Sequence, residues 1–165
     1  MSEQWVVNAS PLILLARIGR AELLRDLPAR VVVPRAVAAE INAGPEDDPA
    51  RQALARGQFQ IVDTPAPSTE ILTWDLGAGE TAVLSLAAAE PNWTAILDDA
   101  AARKCALSFS VELKGTLAVV ILAKQRGLVA SAADLIRELQ GVGYRIDNRL
   151  VREALSRTVG EAWQS

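Results

Sequence analysis

Thr94-Ala95-Ile96-Leu97-Asp98-Asp99 is the stretch whose reading decides the fold: a short apolar strand stopped by two acids. Residues 100–107 then read as a helix. The same sequence of events opens the chain, where residues 4–7 form a strand that is apolar at its end and leads into Asn8-Ala9-Ser10-Pro11. There Ser10 is placed to cap a helix and Pro11 to take its first position, so the spacing predicts a helix over residues 11–18, closed by Gly19. A second helix is predicted over residues 21–27. Residues 30–33 are β-branched and stop at Pro34, which opens a helix through Ile41. An acidic turn over 44–49, a short helix over 50–56, a strand over 59–62 and a Pro-bearing loop over 64–68 come next. Residues 79–90 are alanine-rich and helical, and residues 109–113 alternate like a strand. Gly115-Thr116 opens an apolar helix to Lys124 that Gly127 ends, Ser131 caps a helix through Leu139, and residues 148–161 form a last amphipathic helix. Strands alternating with helices, with connections too short for hairpin pairing, predict an α/β fold whose central parallel sheet is covered on both faces. Ligands of such sheets bind beyond the carboxyl ends of the strands.

Composition narrows the chemistry. The 165 residues are half hydrophobic and contain one cysteine and no histidine. Without histidine there is no Ser-His-Asp or Cys-His pair, no HExxH zinc site and no 2-His-1-carboxylate iron site. A lone Cys105 makes no internal disulfide and reads as a small core residue on its helix. The remaining tools are carboxylates, Lys/Arg, hydroxyls, backbone amides and an oxygen-held hard cation such as Mg²⁺ or Mn²⁺. No apolar run approaches the ~20 residues that span a bilayer, and the N-terminus lacks a basic segment before an apolar one, so the expectation is a cytoplasmic protein. With 17 Lys and Arg against 20 Asp and Glu, the net charge is −3. That is the opposite of a protein holding nucleic acid by phosphate contacts alone, but it suits an acidic cleft that meets phosphate through bound ions.

Right-handed crossovers bring Asn8, Glu40, Glu80, Asp98 and Asp99 to one rim of the sheet. Four carboxylates and an amide gathered there repel one another unless a cation neutralises them. Each has a plainer reading. Glu40 is equally a solvated helix-face acid, and Glu80 an acid favoured by its helix dipole. Asp99 reads as an N-cap that pairs with Arg103 four residues on. Ser10 reads as a cap rather than a nucleophile. Arg103 and Lys104 read as a solvated face, or as contacts to a substrate phosphate.

Five stretches in order resemble the PIN-domain nucleases. They are Val6-Val7-Asn8-Ala9-Ser10-Pro11-Leu12-Ile13; Val33-Pro34 with Val37 and Glu40-Ile41; Leu76-Gly77-Ala78-Gly79-Glu80 with Ala82; Ile96-Leu97-Asp98-Asp99 with Ala102-Arg103; and Gly115-Thr116-Leu117 with Leu122-Ala123-Lys124 and Gly127-Leu128. More narrowly the chain is similar to the PIN-like prokaryotic branch related to VapC-type toxins. The resemblance runs from about Trp5 to about Ile146, with residues 1–146 as the PIN-like domain and residues 147–165 as a C-terminal helix packed on it. It implies a three-layer α/β/α fold and a Mg²⁺- or Mn²⁺-dependent endoribonuclease with Glu40, Glu80 and Asp98 as catalytic acids. Asn8, Glu40, Glu80, Asp98 and Asp99 are the metal-holding set, and Ser10 is a polar neighbour. The family's usual first acid falls at Asn8, whose amide offers a carbonyl oxygen but no charge. The resemblance also implies an RNA substrate, a small antitoxin as partner and a homodimer.

Two rival readings differ in class. Gly77-Ala78-Gly79-Glu80-Thr81-Ala82 fits the G-x-G-x-x-A dinucleotide fingerprint, with Asp98 further along as a ribose-binding acid. Against it, Glu70 and Asp75 interrupt the segment that should be a buried strand, and Glu80 projects negative charge where pyrophosphate needs amides. The other rival is a non-catalytic PIN-like module that binds RNA or protein, which Asn8 and the acidic balance favour.

Overall fold

The computed structural model describes residues 3–164, so Met1, Ser2 and Ser165, at the ends of the two stretches expected above, lie outside the described residues. In chain order the elements are β1 (Gln4–Val7), α1 (Ala9–Arg17), α2 (Leu23–Asp26), β2 (Arg30–Pro34), α3 (Arg35–Asn42), α4 (Pro49–Ala55), β3 (Gln60–Val62), α5 (Thr69–Leu72), α6 (Ala78–Ala89), β4 (Trp93–Ile96), α7 (Ala100–Ser108), β5 (Glu112–Lys114), α8 (Thr116–Gln125), α9 (Ala132–Gly141) and α10 (Asn148–Thr158). The five strands make one sheet in the order β3-β2-β1-β4-β5, with every pair parallel. Helices cover the sheet to give the expected three-layer α/β/α arrangement.

Burial follows position in the sheet. Trp5, Val6 and Val7 of central β1 have no exposure, and all four residues of β4 are buried. The edge strands β3 and β5 are three residues long and start with the exposed Gln60 and Glu112, which blunts them against further pairing. The chain lays down β1, β2 and β3 in one direction and then crosses to β4 on the far side of β1. Strand order therefore reverses between β1 and β4, and a crevice opens past their carboxyl ends. The Asn8 N–H donates to the Ile96 carbonyl at 3.1 Å and draws the two strand ends together.

Three local expectations are corrected and one short helix is added. Helix α1 begins at Ala9 with Asn8 in the capping place, so Ser10 is no cap and Pro11 is the third helical residue rather than the first. An N-cap side chain normally accepts from the second or third N–H; proline supplies none at the third, and Asn8 makes no side-chain cap bond. Residues 69–72, to which the sequence assigned no element, form α5 just past the Pro-bearing loop, where the Ser68 hydroxyl accepts from Ile71 N–H at 3.2 Å and starts the helix. Phe109 ends α7 and Ser110 takes a left-handed conformation (φ 56°), so β5 begins at Glu112. Helix α10 stops at Thr158, short of Glu161.

Glu161 has another task. Its carboxylate accepts from the N–H groups of Ala132 (2.9 Å) and Ala133 (3.0 Å) and from the Ser131 hydroxyl (3.0 Å), capping α9 from the far end of the chain. Val151, Leu155 and Trp163 are buried alongside, and the Arg137 guanidinium lies 4.7 Å from the Trp163 ring centre. Burial by itself raises the Glu161 pKa, but the bonds from Ala133, Ala132 and Ser131, with Lys124 nearby, outweigh it and hold the group below the ordinary carboxylate value. A lowered folded-state pKa gives stability that is complete above the unfolded value and lost as pH falls through the folded one. Glu161→Gln is expected to cost about 1–2 kcal/mol at neutral pH and to flatten the loss of stability below about pH 4.5, both read from urea unfolding across a pH series. An unchanged midpoint at neutral pH would show that the tail does not support α9.

Candidate functional site

The crevice past β1 and β4 holds a cavity of about 360 Å³ whose walls include Asn8, Ser10, Glu80, Asp98 and Asp99. Five of the residues singled out in the sequence thus share one space. Glu40 joins them from α3 at one corner. Its Oε1 accepts the Gly79 N–H at 2.8 Å, and a Cβ placed on Gly79 would lie 2.7 Å from that oxygen and 3.1 Å from Asn8 Oδ1. Gly79 is therefore glycine because two acceptor oxygens from different elements press on it. Asn8 is 3% exposed, and its Oδ1 is a buried side-chain oxygen with no hydrogen-bond partner. Such an oxygen is normally paired.

Asp98 is the centre of a second corner. Its Oδ1 accepts Thr116 N–H at 2.8 Å, and its Oδ2 accepts the Thr116 hydroxyl at 2.6 Å and the Ser10 hydroxyl at a long 3.5 Å. Thr116 is fully buried at the start of α8. A Cβ on the preceding Gly115 would lie 2.9 Å from Arg103 Nη1 and 3.1 Å from Asp98 Oδ1, so the guanidinium and the carboxylate flank the same glycine. Glu80, in the first turn of α6, curls back until its Oε2 is 2.8 Å from where a Gly77 Cβ would stand.

Asp99 caps α7 as expected, accepting Ala102 N–H at 2.9 Å. The expected Asp99–Arg103 pair is absent: the Arg103 guanidinium donates to the Leu97 carbonyl at 3.0 Å instead, which turns it toward Asp98. Lys104 is exposed and lines neither this cavity nor its neighbour, whereas Arg103 lines the neighbour. Among the described residues no three Asp, Glu or Cys side chains come close enough to hold one ion in common. The acids meet in pairs with neutral donors, and the full five-residue set does not converge on a point.

The sequence reading missed Thr116, Tyr144 and Arg145. Thr116 was read only as the start of a helix, although a hydroxyl at a helix N-terminus in an acid-rich protein is a natural carboxylate partner. Tyr144, the single tyrosine, sits between Gly143 and Arg145 in a stretch read as a break. It is buried against the site, and its hydroxyl accepts Leu117 N–H at 3.2 Å. Burial pushes its pKa above the ordinary tyrosine value and the negative charge of Asp98 adds to the shift, so the phenol keeps its proton.

The dinucleotide reading fails on context. Helix α6 is preceded by α5 and a turn rather than by a strand, and the Glu40 carboxylate occupies the Gly79 N–H that a pyrophosphate would need.

The donor set is all oxygen, which suits a hard dication, and the orphaned Asn8 Oδ1 is an oxygen that such an ion would satisfy. Mg²⁺ retains several waters and takes one or two protein carboxylates, so paired acids fit it without a closed cage. Thr116→Val is expected to lower stability by about 2 kcal/mol in urea unfolding, with Thr116→Ser close to wild type. Equal loss in both variants would show that packing of the methyl group, rather than the bond to Asp98, is what Thr116 provides.

The family described as PIN domain matches residues 4–160. No curated protein matches the chain.

Proposed function

The chain belongs to the PIN-domain family, a nuclease-like fold, and from that premise we propose that it is a divalent-metal-dependent endoribonuclease. The observation that carries the reading is the buried, unpartnered Asn8 Oδ1 set beside the Glu40 carboxylate at the rim where Glu80 and Asp98 also stand. Mg²⁺ or Mn²⁺, when bound, supplies a Lewis acid that neutralises the phosphodiester and lowers the pKa of water. Glu40, Glu80 and Asp98 are the principal holders, with Asn8 and Asp99 completing the oxygen set. Thr116 fixes the direction of both Asp98 oxygens before any ligand arrives, so little reorganisation is left to the bound state. Ser10 supplies a hydroxyl beside Asp98, and Arg103, turned inward by Leu97, faces the phosphate. With no histidine to move protons through a ribose 2′-hydroxyl, hydrolysis by water leaves a 5′-phosphate and a 3′-hydroxyl.

On the resemblance stated above, the setting is a cytoplasmic toxin of a toxin–antitoxin pair, a homodimer held by a small antitoxin. Among the described residues no helix is long and apolar enough to cross a membrane. A second reading, a non-catalytic PIN-like RNA- or protein-binding module, is favoured by the neutral Asn8 and by the absence of three converging acids among the described residues.

Cleavage of a panel of single-stranded and structured RNAs with Mn²⁺ is expected, with loss in EDTA and at least about a hundredfold loss in Asp98→Ala. Activity that survives chelation or that substitution sinks the metal reading, and binding without cleavage establishes the second one. Asn8→Asp is expected to tighten Mn²⁺ binding by about tenfold in calorimetry; no change would remove Asn8 from the metal.

A further inference from the structure

We propose that the groove beside Asp98, between the start of α8 and the α9–α10 connection, seats an unpaired RNA base next to the phosphate held at the acidic site. The proposal rests on the ribonuclease reading and adds to it a substrate subsite. The groove encloses about 330 Å³, and it shares Asp98, Tyr144 and Arg145 with the acidic cavity. A polynucleotide whose phosphate lies at the acids therefore has a continuous path into it.

Its chemistry differs from that of the acidic cavity. The walls past Asp98 are apolar, formed by Leu117, Ile146 and Leu150, and Leu150 is 52% exposed, so its apolar surface is open to a ligand. Two guanidiniums, those of Arg103 and Arg145, stand at this groove in a protein of net charge −3. Arg145 is exposed and makes no ion pair or hydrogen bond among the described residues, so its charge is available to a ligand. Tyr144 accepts from Leu117, and its own hydroxyl proton has no acceptor among the described residues. Apolar faces, planar cations and one uncommitted O–H donor form the set that holds a nucleobase: stacking on the guanidinium plane and apolar floor, and a hydrogen bond at the base edge. Base-paired RNA keeps its faces stacked and cannot offer one, which is why the groove selects single strands.

The test uses the full chain in EDTA, so that binding is measured without cleavage. A fluorescein-labelled single-stranded RNA octamer is titrated by anisotropy at fixed salt against wild type, Arg145→Ala, Leu150→Ser and, as a remote control, Arg56→Ala. Both groove substitutions lie at exposed side chains, and circular dichroism checks that each variant is folded. Arg145→Ala and Leu150→Ser are each expected to weaken the octamer on the order of tenfold, Arg56→Ala to leave it unchanged, and a duplex of equal length to bind more weakly than the single strand. Affinity unmoved by both groove substitutions overturns the proposal and leaves the groove to a protein partner. Equal binding of duplex and single strand overturns it as well. The two readings fail separately: groove-dependent binding without Mn²⁺-dependent cleavage removes the nuclease and keeps the subsite, whereas Mn²⁺-dependent cleavage with groove-independent binding does the reverse.

Discussion

Everything at the rim hangs on the parallel pairing of β1 between β2 and β4. Four residues carry it, and Trp5, Val6 and Val7 are sealed on both faces. Because the chain runs outward from β1 through β2 and β3 on one side and through β4 and β5 on the other, the connections leave β1 and β4 in opposite directions and part at that seam. The ladder continues one bond past the strand, through Asn8 N–H to Ile96, and β4 is matched in turn by Leu97 N–H to Lys114. Asn8 and Asp98 therefore take their places from backbone pairing alone, before any side chain contributes. Substituting either changes chemistry at the crevice without moving the crevice.

The acids are quieted by helix starts. Glu40 accepts from Gly79 at the first turn of α6, Asp98 from Thr116 at the first residue of α8, and Glu161 from Ala132 and Ala133 at α9. Each carboxylate is remote in sequence from the helix it serves, and each meets unpaired N–H groups at the positive end of a helix dipole. The three differ in what is left over. Both oxygens of Glu161 are engaged by protein donors, which makes it a clasp for the tail. Glu40 gives one oxygen to Gly79 and keeps the other, and it does so beside an amide oxygen that has no partner at all. Glu40 thus has an uncommitted oxygen to offer a ligand, whereas Asp98, with both oxygens engaged by Thr116, can add one only through its remaining lone pairs.

How legible this was in the sequence depends on range. Short apolar strands with polar stops, alternating with helices, made the parallel sheet legible, since each strand's burial is written in its own three to five residues. The gathering of Asn8, Glu80, Asp98 and Asp99 in one cavity also followed from strand ends and crossover handedness, whereas Ser10 came only with the family resemblance. Boundaries failed at α1, where Pro11 stands third and lacks the N–H that an Asn8 cap would use, and the short helix that Ser68 starts carried no signal past Pro65 and Pro67. The Asp98–Thr116 clasp, the turn of Arg103 toward Leu97 and the wall made by Tyr144 and Arg145 were not readable. Each joins side chains whose approach is fixed only after the helices dock, and no periodicity records that.

Asn8 is where the physical argument is sharpest. A carboxylate at that position, 3% exposed and next to Glu40, would stand as an unpaired buried charge whenever no cation was present, and such charges cost several kcal/mol. The amide removes that cost, so position 8 needs no cation for stability, as a fifth acid there would. The same exchange removes one unit of attraction for a dication. If the proposed ribonuclease reading holds, the missing negative charge has one natural source, the phosphate of the RNA itself, since Mg²⁺ in phosphoryl-transfer sites is commonly shared between one or two carboxylates and the substrate. Ion and RNA would then bind with positive coupling, and by linkage each would tighten the other by the same factor. An amide in place of an acid thus shifts the site from one that stores its metal toward one that assembles with its substrate, without altering the fold that positions it.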